Sequence, residues 1–319
     1  MSMGSWRNFT ESIKNADMTG KHEEAHNLMD DGDFSGAKLL LLEELERKPK
    51  SINLLFTMGF LLYQQEEFHT ALECYDRCLA IKPDEPGVVL NKARILIDEL
   101  DEFHEGLNTL ELITIDSGNR DESWQELMAG ALLGLERFAE CEEQCEKILK
   151  LDNKSIYALM TYADSCYEQE NWQKAFDLNE KILELDSTDL DVKNLQADLL
   201  NLLGRPDESL RITDSLISAN GGDEQAWATK GESQMIKGEF DKAITSLENS
   251  TLIDPTFEVS WFSLSKAYSH ENRVDDALDS LLVATSLEPD FLDELDESYF
   301  DNIRENPRFG KLKEKQSER

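Results

Sequence analysis

The sequence predicts an all-α protein built from tandem helix pairs, and three observations carry that prediction. Small residues recur at Ala37, Ala71, Gly106, Cys141, Ala175, Ser209, Ala243 and Ala277, always 34 or 35 residues apart. A companion set of small residues, Ala25, Gly59, Ala129, Ala163, Ala197, Gly231 and Ser265, stands twelve residues earlier, with Ala93 thirteen earlier in the third copy. Twelve residues after each main-set residue comes a helix breaker or turn former: Pro49, Pro83, Gly118, Asn153, Ser187, Gly221, Pro255 and Pro289. Self-similarity at such a period means stacked supersecondary units. Eight copies are in register, and the two extra residues are expected in loops.

Each unit reads as two amphipathic helices. In the seventh copy Trp227, Gly231 and Gln234 to Met235 mark a first helix and Lys237 to Phe240 a turn. Ala243, Leu247 and Ser250 mark one face of a second helix. Spacings of three and four are the helical period, and no stretch alternates as a strand would. Proline ends the second helix because it cannot extend the hydrogen-bond ladder, and a nearby Asp or Glu starts the next. Small side chains recur where two helix backbones must approach closely. Three segments follow: an N-terminal extension over 1–17, carrying Trp6 and Phe9; the repeat array over 18–290; and a capping helix with a basic tail over 291–319. Leu295, Tyr299 and Ile303 supply the apolar stripe by which such a cap would cover the last repeat.

These residues resemble a known family. Trp227-x2-Lys230-Gly231 … Ala243-x3-Leu247 … Pro255 is similar to the tetratricopeptide repeat, whose pattern is W-x2-L-G-x2-Y … A-x3-F … P. Trp261-x2-Leu264-Ser265-x2-Tyr268 … Ala277 … Pro289 matches better still, and Met58-Gly59 … Ala71-x3-Tyr75 … Pro83 nearly as well. The third, fourth and sixth copies lack the proline and some of the aromatics. The closing Asn306-Pro307-Arg308-Phe309 resembles the C-terminal caps of prokaryotic members. The resemblance implies a right-handed superhelical solenoid whose first helices line a concave face that takes peptides or helices of partner proteins. Some relatives clamp acidic chaperone tails with Lys, Asn and Arg. Here those slots hold Phe56, Phe60, Met160 and Asp164, with Asn91 alone matching, so that role is not expected.

Charge and composition exclude other classes. Lys and Arg number 32 against 67 Asp and Glu, a net charge of −35, so most of the surface would repel phosphate and no nucleic-acid partner is expected. Hydrophobic content of 40% is enough for a core. No stretch approaches the ~18 apolar residues of a membrane span. The first ten residues lack the apolar core of a secretory signal. Five cysteines, an odd number, argue against a disulfide framework and for a reducing, cytoplasmic setting. A salty cytoplasm would also account for the acidity.

Catalytic motifs are few. His22-Glu23-Glu24-Ala25-His26 fits H-E-x-x-H, which on a helix could bind zinc with Glu23 as general base. Ala25 fills the repeat's own small-residue slot, however, and no third ligand follows. The two histidines are therefore expected on the exposed concave stripe, and dispensable. Cys78, Cys141, Cys145 and Cys166 fall at helix-packing positions. His69, His104 and His270 lie near turns and are expected to be solvated. Phosphate-binding glycine loops and nucleophile elbows are absent, and no cofactor is expected.

What remains is the stripe itself. The residues of the first helices not needed for internal packing are Phe56, Phe60, Tyr63, Asn91, Arg94, Tyr157, Asp164, Tyr167, Asn194, Asp198, Glu232 and Phe262. Phe56, Phe60 and Tyr63 would be aromatic anchors for a partner, or would pack on a neighbouring helix. Asp164, Asp198 and Glu232 would select basic or amphipathic segments. The basic tail carries Arg304, Arg308, Lys311, Lys313, Lys315 and Arg319. The expected function is a non-enzymatic interaction scaffold. Its rivals are a metal-dependent hydrolase using His22, Glu23 and His26, and a structural subunit of a larger assembly.

Overall fold

The computed structural model describes residues 20–113, 122–295 and 298–317, and among these no residue lies in a strand. The chain divides into two units, Met1–Ser165 and Cys166–Arg319. The first contains α1 (Gly20–Asp30), α2 (Phe34–Arg47), α3 (Ile52–Gln64), α4 (Phe68–Leu79), α5 (Pro86–Arg94), α6 (Phe103–Leu110), α7 (Glu122–Gly134), α8 (Phe138–Leu151) and most of α9 (Ile156–Glu168). The second contains α10 (Trp172–Leu185), α11 (Leu190–Leu202), α12 (Pro206–Ala219), α13 (Glu224–Ile236), α14 (Phe240–Ile253), α15 (Glu258–His270) and α16 (Val274–Leu287). Two 3₁₀ segments, Pro289–Glu294 and Ser298–Phe300, then lead to α17 (Pro307–Ser317). Successive helices pack as pairs within each unit. Odd-numbered helices also pack on one another, α5 on α7 in the first unit, and α11 on α13 and α13 on α15 in the second.

The small residues lie where the repeat requires them. Every residue of both sets, from Ala25 to Ala277, is buried. Two glycines show how close the helices come. A Cβ on Gly59 would stand 2.7 Å from Tyr75 Cε1, and one on Gly231 2.6 Å from Leu247 Cγ, so each glycine lets a second-helix side chain lie against bare backbone.

The turns inside the pairs repeat as strictly. Gly32, Glu66, Asp101, Glu136, Glu170, Gly204, Gly238 and Asn272 all have positive φ, between 54° and 81°. Each stands five residues before a member of the main small-residue set. The next residue's N–H reaches back to the carbonyl five residues earlier, as Glu67 does to Leu62 at 2.9 Å and Arg205 to Leu200 at 2.8 Å. This left-handed closure satisfies carbonyls that the helix end would leave open.

The third turn departs from the rule. Glu102 N–H reaches six residues back, to the Leu96 carbonyl at 2.7 Å, because α5 runs on into a π-turn, Ile95–Glu99. One of the two extra residues therefore sits inside a helix rather than in a loop, a single-residue insertion absorbed as a π-bulge. The other falls between Gly106 and Ala129, a stretch that includes residues outside those described.

The two units fill their cores differently. In the first, Leu54, Leu55, Phe56, Met58, Leu61 and Leu62 of α3 pack with Tyr75 and Cys78 of α4. All five cysteines are buried, and none is in a disulfide among the described residues. In the second, much of the interior is polar. Ser233 Oγ lies 2.7 Å from Asn201 Oδ1 and 2.9 Å from Ser209 Oγ, while Asn201 Nδ2 donates to the Thr229 carbonyl at 3.2 Å. Ser246 donates to Gln234 Oε1 at 2.8 Å, and Ser250 and Ser260 pair at 2.6 Å.

The C-terminal segment is built differently from the expected helix. Pro289–Glu294 and Ser298–Phe300 are 3₁₀ turns, and the helix begins only at Pro307. Leu295 and Ile303 are buried as expected. Tyr299 is exposed, and Phe300 takes the interior place instead, because a 3₁₀ turn rotates successive side chains by a larger angle than an α-helix does. Phe309 and Leu312 of α17 are also buried, in the same cluster as Leu281 and Ala284. The stretch read as a basic tail thus begins as a docked helix, with Arg308 paired to Asp275 and Asp279. Residues 1–17 lie outside the described residues.

Candidate functional site

The 34-residue period places equivalent residues of successive odd helices side by side. In the second unit one slot holds Asp198 on α11, Glu232 on α13 and Lys266 on α15. Tyr167 Oη, from α9, donates to Asp198 Oδ2 at 3.1 Å. Ser263 Oγ, from α15, donates to Glu232 Oε1 at 2.8 Å. The two acids are thus held by hydroxyls. Among the described residues no Lys or Arg nitrogen lies within 4.0 Å of either. Desolvation and the neighbouring Asp198 push Glu232 up to about 7, against the opposing pull of Ser263 and Lys266. Burial also raises Asp198. Two carboxyls that resist ionisation together are the arrangement to which an incoming cation would contribute most.

The carboxyl row ends at Lys266. Its Nζ stands over the Phe262 ring at 4.2 Å and 3.8 Å from Glu294 Oε2. Phe262 does not offer itself to a partner as the sequence suggested. It is buried, stacked on Phe291 of the C-terminal segment at 4.3 Å, with Phe300 5.8 Å away. Asn194 is also buried, its Nδ2 turned to Asp223 at 3.2 Å. Asp223 caps α13 through the Ala226 N–H, so Asn194 ties two helices together rather than lining a face.

In the first unit the expected aromatic anchors separate. Phe56 is buried, its ring 5.7 Å from Tyr75: this is helix packing, the alternative that periodicity left open. Phe60 and Tyr63 are half-buried, with rings 6.5 Å apart. Tyr63 Oη donates to Glu99 Oε1 at 2.9 Å. Burial and that carboxylate raise the phenol to about 12. Arg94 acts on the same phenol in the opposite sense. Asn91 is spent on its own helix, donating to the Gly87 carbonyl at 2.7 Å. Tyr157 lies across α7, donating to the Glu126 carbonyl at 2.9 Å over the bare Cα of Gly130. Asp164 is exposed.

The histidine string is corrected outright. His22 is buried, not displayed, because α1 packs its face against α3. There Thr57 Oγ1 stands 2.9 Å from His22 Nε2 and itself donates to the Asn53 carbonyl. With the hydroxyl proton directed to Asn53, Thr57 Oγ1 is placed to accept from His22 Nε2. Burial and the adjacent His26, at 4.8 Å between rings, lower His22 to about 4, so it is neutral at pH 7. Among the described residues no three His, Cys, Asp or Glu side chains are grouped to hold a metal ion. His270 is not simply solvated either. It stacks on Phe240.

Three contributors were missed. Lys266 was open to discovery, since it stands 34 residues after Glu232. Ser263 and Glu99 carry no signal in the sequence, the latter because the π-turn shifts it out of register.

Comparison with known proteins agrees with this architecture. A family model for the tetratricopeptide repeat matches residues 52–85 and 224–257, one stretch in each unit. A tetratricopeptide repeat protein from Parabacteroides merdae superposes with a TM-score of 0.60 at 18% identity, covering 76% of this chain and 96% of that one. PilF of Pseudomonas aeruginosa superposes with a TM-score of 0.54 at 19% identity, covering 69% and 96%. Both likenesses concern the fold. The anaphase-promoting complex subunit cut9 of Schizosaccharomyces pombe is 23% identical over 134 residues, 42% of this chain. The matched part spans 20% of that protein's length. No helix of the described residues is long and apolar enough to cross a membrane. Helix pairs with small residues at every crossing, left-handed turns at a fixed register and the two family matches identify one thing: the chain carries tetratricopeptide repeats.

Proposed function

We propose that the protein is a non-enzymatic scaffold that receives a basic or amphipathic segment of a partner protein on the odd-helix face of its second unit. The observation that carries this reading is the Asp198–Glu232 pair, two partly desolvated carboxyls on successive odd-numbered helices, held by hydroxyls and, among the described residues, with no Lys or Arg nitrogen within 4.0 Å. A lysine or arginine of a partner would supply the missing charge. Exposed ion pairs contribute only about 0.2–1 kcal/mol, so desolvation makes this step worth more than the acids scattered over the surface. In the first unit, half-buried Phe60 and Tyr63 beside Arg94 form a separate aromatic surface. A catalytic role for His22, Glu23 and His26 is not favoured, given the buried, neutral His22. Five buried cysteines outside any disulfide support a reducing, cytoplasmic setting.

The test is titration with basic and acidic peptides of matched hydrophobicity, at low and high ionic strength. The basic peptide should bind, more weakly as salt rises, and Asp198→Asn with Glu232→Gln should abolish the preference. Equal binding of both peptides would refute the proposal.

A further inference from the structure

Asn220 and Gly221, at the end of α12, form the sole Asn-Gly pair in the sequence. Asn220, Gly221 and Gly222 are all exposed. The helix before them is anchored by Asn220 N–H on the Leu216 carbonyl, and Asp223 starts the next. Between those anchors Gly222 N–H donates to Asn220 Oδ1 at 3.2 Å. The Gly221 amide lies outside any helix and donates to no backbone carbonyl among the described residues.

Three neighbouring copies of the repeat hold an aspartate at this position. Its equivalents at the ends of α8, α10 and α14 are Asp152, Asp186 and Asp254. In each, Oδ1 accepts from the N–H two residues on, at 3.0, 2.9 and 2.8 Å. Their backbones match as well. Asn220 has φ −140° and ψ 94°, and Asp186 has φ −134° and ψ 94°. In these four copies a side-chain oxygen that aspartate and asparagine both supply closes the turn. Asparagine, followed by a residue with no Cβ to shield its amide, adds a reactive possibility that the other three lack.

We infer that Asn220 is a deamidation site, a position where the folded protein converts to the aspartate its neighbouring repeats carry. Water and ammonia close the balance. The Gly221 amide nitrogen gives its proton to hydroxide and bonds to Asn220 Cγ. The Cγ–Nδ2 bond breaks, and nitrogen leaves as ammonia with a proton from water, giving a five-membered succinimide. Water then opens either carbonyl of that ring. Opening at Cγ restores the main chain as aspartate. Opening at the backbone carbonyl gives isoaspartate, with one more carbon in the chain.

The two products differ structurally. Aspartate keeps the acceptor of the turn and adds one negative charge three residues from Asp223, which caps α13 and holds Asn194. Isoaspartate lengthens the link to Gly221, whose carbonyl accepts from Trp227 Nε1 at 3.1 Å. That contact has its own equivalent, Trp261 to the Pro255 carbonyl at 2.9 Å, so its loss would mark the sixth repeat boundary alone.

The experiment incubates the full chain in mildly alkaline buffer and follows each asparagine by peptide mass spectrometry, with isoaspartate read by enzymatic methylation. Asn220 should convert faster than every other asparagine, with ammonia released in step and the Trp227 fluorescence altered only in the isoaspartate fraction. Gly221→Ala should slow the conversion several-fold. Its Cβ would meet nothing closer than the Ile217 carbonyl at 3.8 Å, so the fold accepts it. Asn220→Asp should melt as the parent does. Conversion no faster than at other asparagines, an equal rate in Gly221→Ala, or conversion only in denaturant would each overturn the inference.

Discussion

Replacing His22 by Gln tests whether a neutral imidazole is built into the first unit. The glutamine amide can still donate to Thr57 Oγ1, so the variant removes titration more than packing. The folded imidazole ionises near 4 against 6.5 when exposed. Because the folded value is the lower one, the stabilisation is complete above pH 6.5 and is lost as pH falls from 6.5 toward 4, where the unfolded chain binds a proton that the fold refuses. At about 1.4 kcal/mol per pH unit, the parent should lose about 2 kcal/mol between pH 7 and pH 5 that His22→Gln does not. The many surface acids titrate in both proteins, so their effect cancels in the difference. Urea unfolding of parent and variant at the two pH values measures it. Parallel stability profiles would refute the claim that His22 is buried and neutral.

Four further outcomes are expected. Glu170→Gly should stabilise by about 0.5 kcal/mol and Gly238→Glu destabilise by about 1 kcal/mol, the balance of left-handed strain against glycine's unfolded freedom; urea midpoints moving in the same direction would contradict this. Gly231→Ala should cost about 1–3 kcal/mol by driving a methyl into Leu247, read as a lower melting temperature. Phe300→Ala should cost about 3–5 kcal/mol, since the ring is fully buried against Phe262 and Phe309; unchanged melting would remove the cap from the last repeat's core. Glu232, raised to about 7, should make binding of a basic peptide strengthen as pH rises through 7 and the carboxyl ionises. In Glu232→Gln that dependence should vanish, as calorimetry at a series of pH values would show.

The repeat was legible because its requirements are local and recurrent. A small residue where backbones cross is demanded in every copy, and so is a break after each second helix. Side-chain direction was harder to read. Phe56 and Phe60 are one turn apart and look alike in sequence, yet one is buried against Tyr75 and the other lies half open. That difference depends on the exact rotation of α3. The π-turn after Arg94 was invisible for a related reason: one inserted residue satisfies the period equally well in a loop or a helix, and only the hydrogen-bond ladder distinguishes them. Phe262 was misplaced because the segment that covers it, around Phe291, does not follow the repeat.

The hydrogen-bonded interior of the second unit bears on how such an array can be edited. Apolar helix interfaces are forgiving, because any well-fitting aliphatic surface can meet any other. Ser233, Asn201 and Ser209 instead match donor to acceptor across three consecutive helices, so the middle member accepts only neighbours with the complementary groups. Excising or duplicating α11 and α12 would leave such groups facing an unmatched surface, at about 1–3 kcal/mol for each one orphaned. Repeats of the first unit, where aliphatic contacts dominate beside the buried His22–Thr57 pair, should tolerate exchange better. Those of the second behave as keyed parts, whose order along the chain is enforced from within.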